Sequence, residues 1–429
     1  MCDVRISCNQ CKSSRAGSMR NISLAEMLLG PFIDLEPCAR GPLYSRGVEQ
    51  YWIAFADADA PRFALQRTLP AGFRAQFLRE VGLTDFLVED PRELLPTFRN
   101  ARWSAICDAL DTWSELTSEQ QCRLVLLLHA LCFYRLIASR IPRQFETQIE
   151  MDSHSAELAF RGASARYVLG LPGRVAEYDT ADMSEFEAVF ASTPPDDVVA
   201  FNAAVKVFVH KAKVGAPLNE LTVWQNRSEQ VLQAVLAKSN KFTRDLLLSR
   251  FYRAAAFVPQ REGKRDEVVS MMNRSEHHAL AMEPTNDAEV LLYLEKLHPV
   301  LESRTKEALW LGDLNLALAR ALRVIELDPY DSKGWCEVGQ VQLKRNEYLE
   351  AAQAYAAAAL LGTPASAIGR YMAGLCFRDL GQPLLAAFFH KASSEVDSLA
   401  ISPHDEIQSL PDDPILVALK EWSLRSFKS

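Results

Sequence analysis

The residues of this chain best equipped for chemistry are scattered cysteines, histidines and carboxylates. Cys8 and Cys11, in a C-x-x-C pair with Cys2 nearby, have half of a zinc-site spacing. A structural zinc ion needs four ligands, and no second pair follows, so His154 or Cys38 would have to complete the set. Free thiols in an N-terminal arm are the simpler reading. Glu295 and His298 have the i, i+3 spacing that puts a carboxylate and an imidazole on one helix face, as in di-iron bundles. Such bundles need a second pair and two more carboxylates, which are not found. Pro299 after His298 suggests a helix boundary, which makes this pair surface residues at a turn. His129 stands in the apolar run from Leu124 to Tyr134, where it could ligate haem or metal. A lone histidine on an apolar helix is more commonly a core residue with a hydrogen-bonded ring. Glu276, His277 and His278 read as exposed polar residues. There is no Gly-rich phosphate loop, no G-x-S-x-G and no H-E-x-x-H. No catalytic residue, metal ligand or cofactor site is therefore assigned.

The elements that must position any site are helical. The chain has 429 residues, of which only 18 are glycine, and it is rich in Ala, Leu, Glu and Arg. No segment alternates with the period of a strand. The formal net charge of -8 removes the diffuse positive field that gathers nucleic acid, and no basic stripe appears as a run. No signal peptide is visible, and the longest apolar run is shorter than the about 20 residues a bilayer requires. Nine cysteines without regular spacing then read as reduced thiols of a cytoplasmic protein.

Punctuation divides the chain into five parts. Residues 1–21 are a polar arm. Residues 22–190 form an N-terminal helical domain. In it Ile22–Leu29 and Gly72–Val81 are short helices, and Thr117–Ile141 is the central one, with Thr117 and Gln120 as its capping box. Ala156–Leu169 is a further helix. Residues 193–296 are a helical segment, with Thr193 as a cap before Pro194 and Pro195, a helix Asp197–Val214 stopped at Gly215, then Leu221–Leu236 and Thr243–Phe257. Residues 297–396 are a repeat, and 397–429 a tail or capping helix.

The repeat is visible in three segments: ALWLGDLNLALARALRVIELDPYD, WCEVGQVQLKRNEYLEAAQAYAAAALLGTP and YMAGLCFRDLGQPLLAAFFHKASSEVD. Pro329 and Pro364, Gly339 and Gly374, the series Ala317, Ala351 and Ala386, and the series Gly312, Asn346 and Gly381 recur at spacings of 34 or 35 residues. In the middle unit Trp335 and Gly339 hold the aromatic and small places of the first helix. Ala351, Tyr355 and Ala358 hold the small, aromatic and small places of the second. The third unit has Arg370 and His390 at the two aromatic places, and the first has Leu301 and Thr305 on its first helix. This pattern resembles the tetratricopeptide repeat, a helix–turn–helix unit of about 34 residues. Thr243–Pro284 echoes it, with Gln260–Glu267 as an insertion between its helices.

The resemblance implies an all-α fold: an N-terminal helical domain followed by a C-terminal TPR-like helical-repeat superhelix. In that family the first helices of successive units line a concave groove. By position that groove carries Glu302 and Lys306, then Lys333, Gln340 and Lys344, then Tyr371 and Arg378. Cys336 and Glu337 stand where a carboxylate clamp would place donors, so such a clamp is not reproduced. The expected partner-binding residues are Lys306, Lys333, Gln340, Lys344, Tyr371 and Arg378. Four like charges converging there repel one another until a partner binds. The function implied is that of an adaptor holding a protein or peptide, an acidic segment above all, with neither nucleic acid nor membrane as partner. The alternative is a helical enzyme or biosynthetic accessory protein with its active site in the N-terminal domain and the repeats presenting substrate.

Overall fold

A computed structural model describes residues 107–130, 134–143, 151–169, 182–285, 287–327, 332–361, 365–396, 402–411 and 414–426. The arm, the helices expected at Ile22–Leu29 and Gly72–Val81, and the prolines Pro329 and Pro364 lie outside the described residues. The described residues contain helices and no strand. In chain order the α-helices are α1 (Ser118–Ala130), α2 (Tyr134–Arg140), α3 (Ser153–Leu169), α4 (Ser184–Ser192), α5 (Val198–Lys213), α6 (Leu218–Leu236), α7 (Lys241–Ala255), α8 (Phe257–Arg261) and α9 (Arg265–Ala281). They continue with α10 (Asp287–Leu311), α11 (Leu314–Leu327), α12 (Ser332–Lys344), α13 (Tyr348–Leu361), α14 (Ser366–Asp379), α15 (Pro383–Val396), α16 (Ser402–Ser409) and α17 (Pro414–Ser426).

Local chemistry explains many of the boundaries. Thr117 and Gln120 form a reciprocal capping box: the Thr117 N–H donates to Gln120 Oε1 at 2.9 Å, and the Gln120 N–H donates to Thr117 Oγ1 at 3.3 Å. The Asn240 side chain caps α7 by accepting from the Thr243 N–H. At α5 the cap is Asp197, which accepts from the Val199 N–H at 2.8 Å. Thr193 does not cap α5, as the sequence had suggested. Its hydroxyl turns back to the Val189 carbonyl of α4 at 2.6 Å, so two prolines and Asp196 separate it from the helix it was expected to start. The helix expected over Thr117–Ile141 is described as α1 and α2, residues 131–133 lying outside the description.

One turn geometry recurs through the chain. Gly215, Gly263, Gly312, Asn346 and Gly381 all have φ between 62° and 86°. At each, the residue's own N–H donates three residues back and the next N–H donates five back: Gly312 to Leu309 and Asp313 to Ala308, Asn346 to Leu343 and Glu347 to Gln342, Gly381 to Arg378 and Gln382 to Phe377. Gly215 and Ala216, and Gly263 and Lys264, repeat the pair of bonds. This is the Schellman ending of a helix, which satisfies the last carbonyls and turns the chain back on itself. It makes five hairpins: α5/α6, α7–α8/α9, α10/α11, α12/α13 and α14/α15. The last three are the tetratricopeptide-like units read from sequence, and two longer hairpins precede them with the same turn.

Small residues bring the helices together where the repeat requires it. Ala317, Ala351 and Ala386 are wholly buried. A methyl added to Gly339 would lie 3.0 Å from three atoms of the Tyr355 ring. His390 fills the same slot in the next unit, since a methyl on Gly374 would lie 2.6 Å from His390 Cε1. Ala358 lets α14 dock on α13, its Cβ lying 3.3 Å from where a methyl on Gly369 would stand. A continuous apolar core runs from Leu110 through Phe160, Phe186, Phe201 and Phe208 to Leu246, Val300 and Val324, and smaller cores sit within the later hairpins.

Pro299 does not end a helix. It lies inside α10, which continues to Leu311. Proline removes one backbone hydrogen bond and crowds the preceding turn, a local cost of about 3 kcal/mol, which the packing of this 25-residue helix on α9, α11 and α7 offsets. His298 is consequently buried rather than at a surface turn.

Candidate partner-binding face

The first helices of the five hairpins are α5, α7, α10, α12 and α14, and they carry a succession of cations. On α5 stand Lys206 and Lys213, on α7 Arg250 and Arg253, on α10 Lys306, on α12 Lys333 and Lys344, and on α14 Arg378. Arg253 of α7 donates to Ser303 Oγ of α10 at 3.5 Å. Lys306 of α10 forms an ion pair with Glu337 of α12 at 2.9 Å. These contacts tie three successive first helices together.

Lys213 is the electrostatic centre of this face. It is exposed to water, yet protein surrounds it on several sides. That burial pushes its ammonium pKa down to about 8, with further depression from Lys306, Arg253 and Lys333, against a smaller opposing pull from Glu302. Cations from α7, α10 and α12 are thus within electrostatic reach of Lys213 on α5. Deeper on α5, burial lowers Lys206 to about 7, helped by Lys213 and Arg250. Its Nζ lies 3.8 Å from the centre of the Tyr167 ring, a cation–π contact. The Tyr167 hydroxyl in turn meets His210 Nδ1 at 3.2 Å.

The residues expected from the sequence fall into three groups. Lys306 and Lys333 belong to the cation cluster. Burial opposes the Lys306 charge, but Glu337 and Glu302 outweigh it and hold its pKa above the ordinary lysine value. Gln340 and Lys344 are exposed on α12, with Lys344 in the last turn, where a cation also complements the helix dipole. At the C-terminal end, Arg378 donates to Glu406 of α16 at 2.6 Å and to Asp379 at 3.0 Å. Tyr371 packs against His390 with ring centres 5.5 Å apart, and burial followed by the nearby Glu406 carboxylate raises its phenol pKa. The mutual repulsion expected among four cations is therefore relieved within the chain at Lys306 and Arg378. Lys213 and Arg253 were missed from sequence because their hairpins are longer than the repeat period. The signal available was the glycine two residues after Lys213, matching Asn346 two residues after Lys344.

The other chemistry-bearing side chains do not assemble into a site among the described residues. Cys2, Cys8, Cys11 and Cys38 lie outside the described residues, as does the side chain of Glu295. His129 is buried edge-on to Tyr134 at 5.3 Å, and burial, then Arg161 and Lys206, push its pKa down to about 3, as suits a core histidine. Glu276 and His278 are not simply exposed: Glu276 meets Arg304 at 3.2 Å, and His278 Nδ1 meets Asp245 at 2.8 Å. No cluster of metal-ligating groups exists among the described residues, and none of their helices is long and apolar enough to cross a membrane. The described cysteines Cys107, Cys122, Cys336 and Cys376 form no disulfide among the described residues.

No family model matches the chain, and no curated protein does. Solved structures do. YrrB, a TPR protein with an unusual peptide-binding site, is 16% identical, covering 48% of this chain and 95% of its own, with a TM-score of 0.30. The human IFIT1 dimer with PPP-AAAA is 11% identical over 91% of this chain and 92% of its own, with a TM-score of 0.49. The APC/C hetero-tetramer Cut9-Hcn1 is 13% identical over 83% of this chain and 78% of its own, with a TM-score of 0.28. At such identities and scores the likeness is one of helical-repeat fold alone. The tetratricopeptide-type assignment stands on the turns and glycine contacts of this chain.

Proposed function

We propose that this protein is a binding scaffold that holds an acidic peptide segment of a partner against the face formed by its first helices, α5 to α14. The observation that carries this reading is the gathering of Lys213, Arg253, Lys306 and Lys333 from four different hairpins in a chain whose net charge is -8. Burial first, and then the charges of Lys306, Arg253 and Lys333, depress the pKa of Lys213. A carboxylate-rich segment lying along the face would relieve that crowding, with Gln340 and Lys344 extending the contact on α12. Each exposed ionic contact contributes only about 0.2–1 kcal/mol, so useful affinity requires several together.

The test is fluorescence anisotropy with a labelled library of Glu- and Asp-rich peptides, using the full chain and a Lys333→Glu, Lys344→Glu variant shown to be folded. Binding should weaken steeply with salt, since exposed charges are screened within about 8 Å at physiological ionic strength. It should also be lost in the variant. Equal binding by parent and variant would move the site off this face.

A further inference from the structure

Lys206, midway along α5, holds its nitrogen against aromatic rings rather than carboxylates. Nζ lies 3.8 Å from the centre of the Tyr167 ring on α3 and 5.7 Å from that of Phe186 on α4. The two rings meet edge to face with centres 6.1 Å apart, and Phe186 is buried. Lys206 itself is partly exposed, so the side chain is reachable from solvent. Among the described residues it has no ion pair and no hydrogen bond. We propose that Lys206 is an amine nucleophile that forms an imine with a small uncharged aldehyde. The site stands whether or not the inner face binds a peptide.

Lys206 lacks a counter-ion because the neighbouring carboxylates are engaged elsewhere. Helices α3, α4, α6 and α7 pack on α5. On them Glu157 pairs with Arg161 at 2.6 Å, Glu185 with Arg166, Glu187 and Glu220 with Lys211 at 4.0 and 3.3 Å, and Asp245 with His278 at 2.8 Å. Glu229 of α6 is exposed. The charged groups within electrostatic reach of Lys206 are cations, Lys213 on its own helix and Arg250 of α7. Arg250 donates to Asn202, one turn before Lys206. Tyr167 and His210 meet each other at 3.2 Å, and His129 of α1 is held neutral by burial. An ammonium drawn out of water and given no carboxylate is poorly stabilised. Burial first, and then the two cations, bring its pKa down to about 7, while the face of the Tyr167 ring pulls the other way.

A lysine that is neutral near pH 7 offers its lone pair to a carbonyl carbon, the step on which Schiff-base lysines depend. The nitrogen attacks the aldehyde carbon and a C–N bond forms. The carbonyl electron pair moves to oxygen, which takes one proton from nitrogen to give a carbinolamine. The hydroxyl then leaves with the second nitrogen proton as water, and a C=N bond remains. Amine and aldehyde thus give imine and one water, with no oxidant, reductant or further leaving group. The product suits the site better than the ammonium, because it places no charge beside two aromatic rings and two cations. Those rings also favour an aldehyde with a short apolar body.

The experiment treats the full chain with propanal and cyanoborohydride, which reduces each imine to a stable secondary amine, and maps the labelled lysines by peptide mass spectrometry. At pH 7 about half of Lys206 is neutral, against about one in 2,500 for a lysine of ordinary pKa. The lower basicity takes back part of that advantage, so Lys206 should label about tenfold or more faster than the exposed lysines. The ratio of its label to theirs should fall nearly tenfold between about pH 8 and pH 9, as their neutral fraction rises and that of Lys206 saturates. In guanidinium chloride sufficient to unfold the chain, the preference should vanish. Labelling of Lys206 no faster than that of the exposed lysines, a ratio that stays flat with pH, or a preference that survives unfolding would each overturn the assignment.

Discussion

Substituting alanine at four helical glycines should produce a graded series whose order follows from what each new methyl would touch. Gly→Ala in a helix interior gains about 1 kcal/mol of helix propensity, and an overpacked methyl costs about 1–3 kcal/mol. At Gly334 the nearest side-chain atom is Val324 Cγ1 at 3.4 Å, an ordinary contact, so the propensity gain should survive. At Gly339 the methyl meets the Tyr355 ring at 3.0 Å; a small tilt of that ring leaves the two terms close to cancelling. At Gly374 the methyl would stand 2.6–2.8 Å from His390 ring atoms, and the wholly buried ring has little room, giving a net loss of about 1 kcal/mol. At Gly369 the obstacles are backbone, the Tyr355 carbonyl oxygen at 2.7 Å and the Ala359 nitrogen at 3.0 Å. Backbone cannot rotate away, so α13 and α14 must separate, for a net loss of about 2 kcal/mol. Thermal melts followed by circular dichroism should rank Gly334→Ala above parent, Gly339→Ala near it, then Gly374→Ala, then Gly369→Ala. Each kcal/mol should move Tm by about 2–4 °C. If Gly369→Ala melts with Gly334→Ala, the close approach of α13 and α14 is not what holds these hairpins together.

Other consequences are as direct. Far-UV circular dichroism of the full chain should be helix-dominated, and strand content above about a fifth, the share of ordinary mixed proteins, would contradict the fold. Asp197→Ala removes the α5 cap and should lower stability by about 0.5–2 kcal/mol, while Thr193→Ala leaves that cap intact; equal α5 amide protection in Asp197→Ala and parent by hydrogen exchange would refute the assignment. Burial pushes His390 down to about 4, so between that value and its ordinary 6.5 the unfolded state binds more protons than the folded one. Stability should be complete above about pH 6.5 and fall as pH drops towards 4, by at most about 3 kcal/mol. His390→Phe should flatten part of that slope in urea titrations at pH 7 and pH 5, the remainder coming from His129; an unchanged slope would show that His390 is not held neutral. Glu406→Gln removes one carboxylate from Arg378 and should strengthen acidic-peptide binding up to about fivefold, given about 0.2–1 kcal/mol for an exposed pair. Unchanged affinity would place Arg378 outside the contact.

The three C-terminal hairpins were legible because their packing demands rare residue types at fixed places. A glycine must face Tyr355, and an alanine must stand at 317, 351 and 386, so chemistry and period coincide. The His390 substitution at an aromatic place kept the slot, because an imidazole over Gly374 has much the same shape. The two earlier hairpins use the same turn at Gly215 and Gly263, but their helices are longer and α8 is inserted, so the turns lie 48 and 49 residues from the next one. A search at 34 or 35 residues passes over them, and only the echo in Thr243–Pro284 was seen. Pro299 misled for a related reason: a proline rule describes local cost, and α10 is held by tertiary contacts on several sides. Gly369 was not singled out at all, because its neighbour is a backbone carbonyl, which leaves no mark in the sequence.

The proposed binding face was half-legible for an electrostatic reason. The repeat register put Lys306 and Lys333 on first helices, and their side chains do enter the cluster. Register says nothing about which carboxylate a cation will find. Glu337, one helix over from Lys306, and Glu406, on a helix beyond the repeats, convert two of the expected free cations into paired ones. Nor does register foresee that α5 contributes, since Lys213 comes within electrostatic reach of Lys333 only through the stacking of two intervening hairpins. Pairing at one end and crowding at the other give the face a polarity. At its C-terminal end Arg378 is paired with Asp379 and Glu406, while at the other end Lys306, Arg253 and Lys333 lie within electrostatic reach of Lys213. A partner segment should therefore place its densest negative charge against Lys213, and run towards Arg378 with weaker contacts that must compete with Glu406.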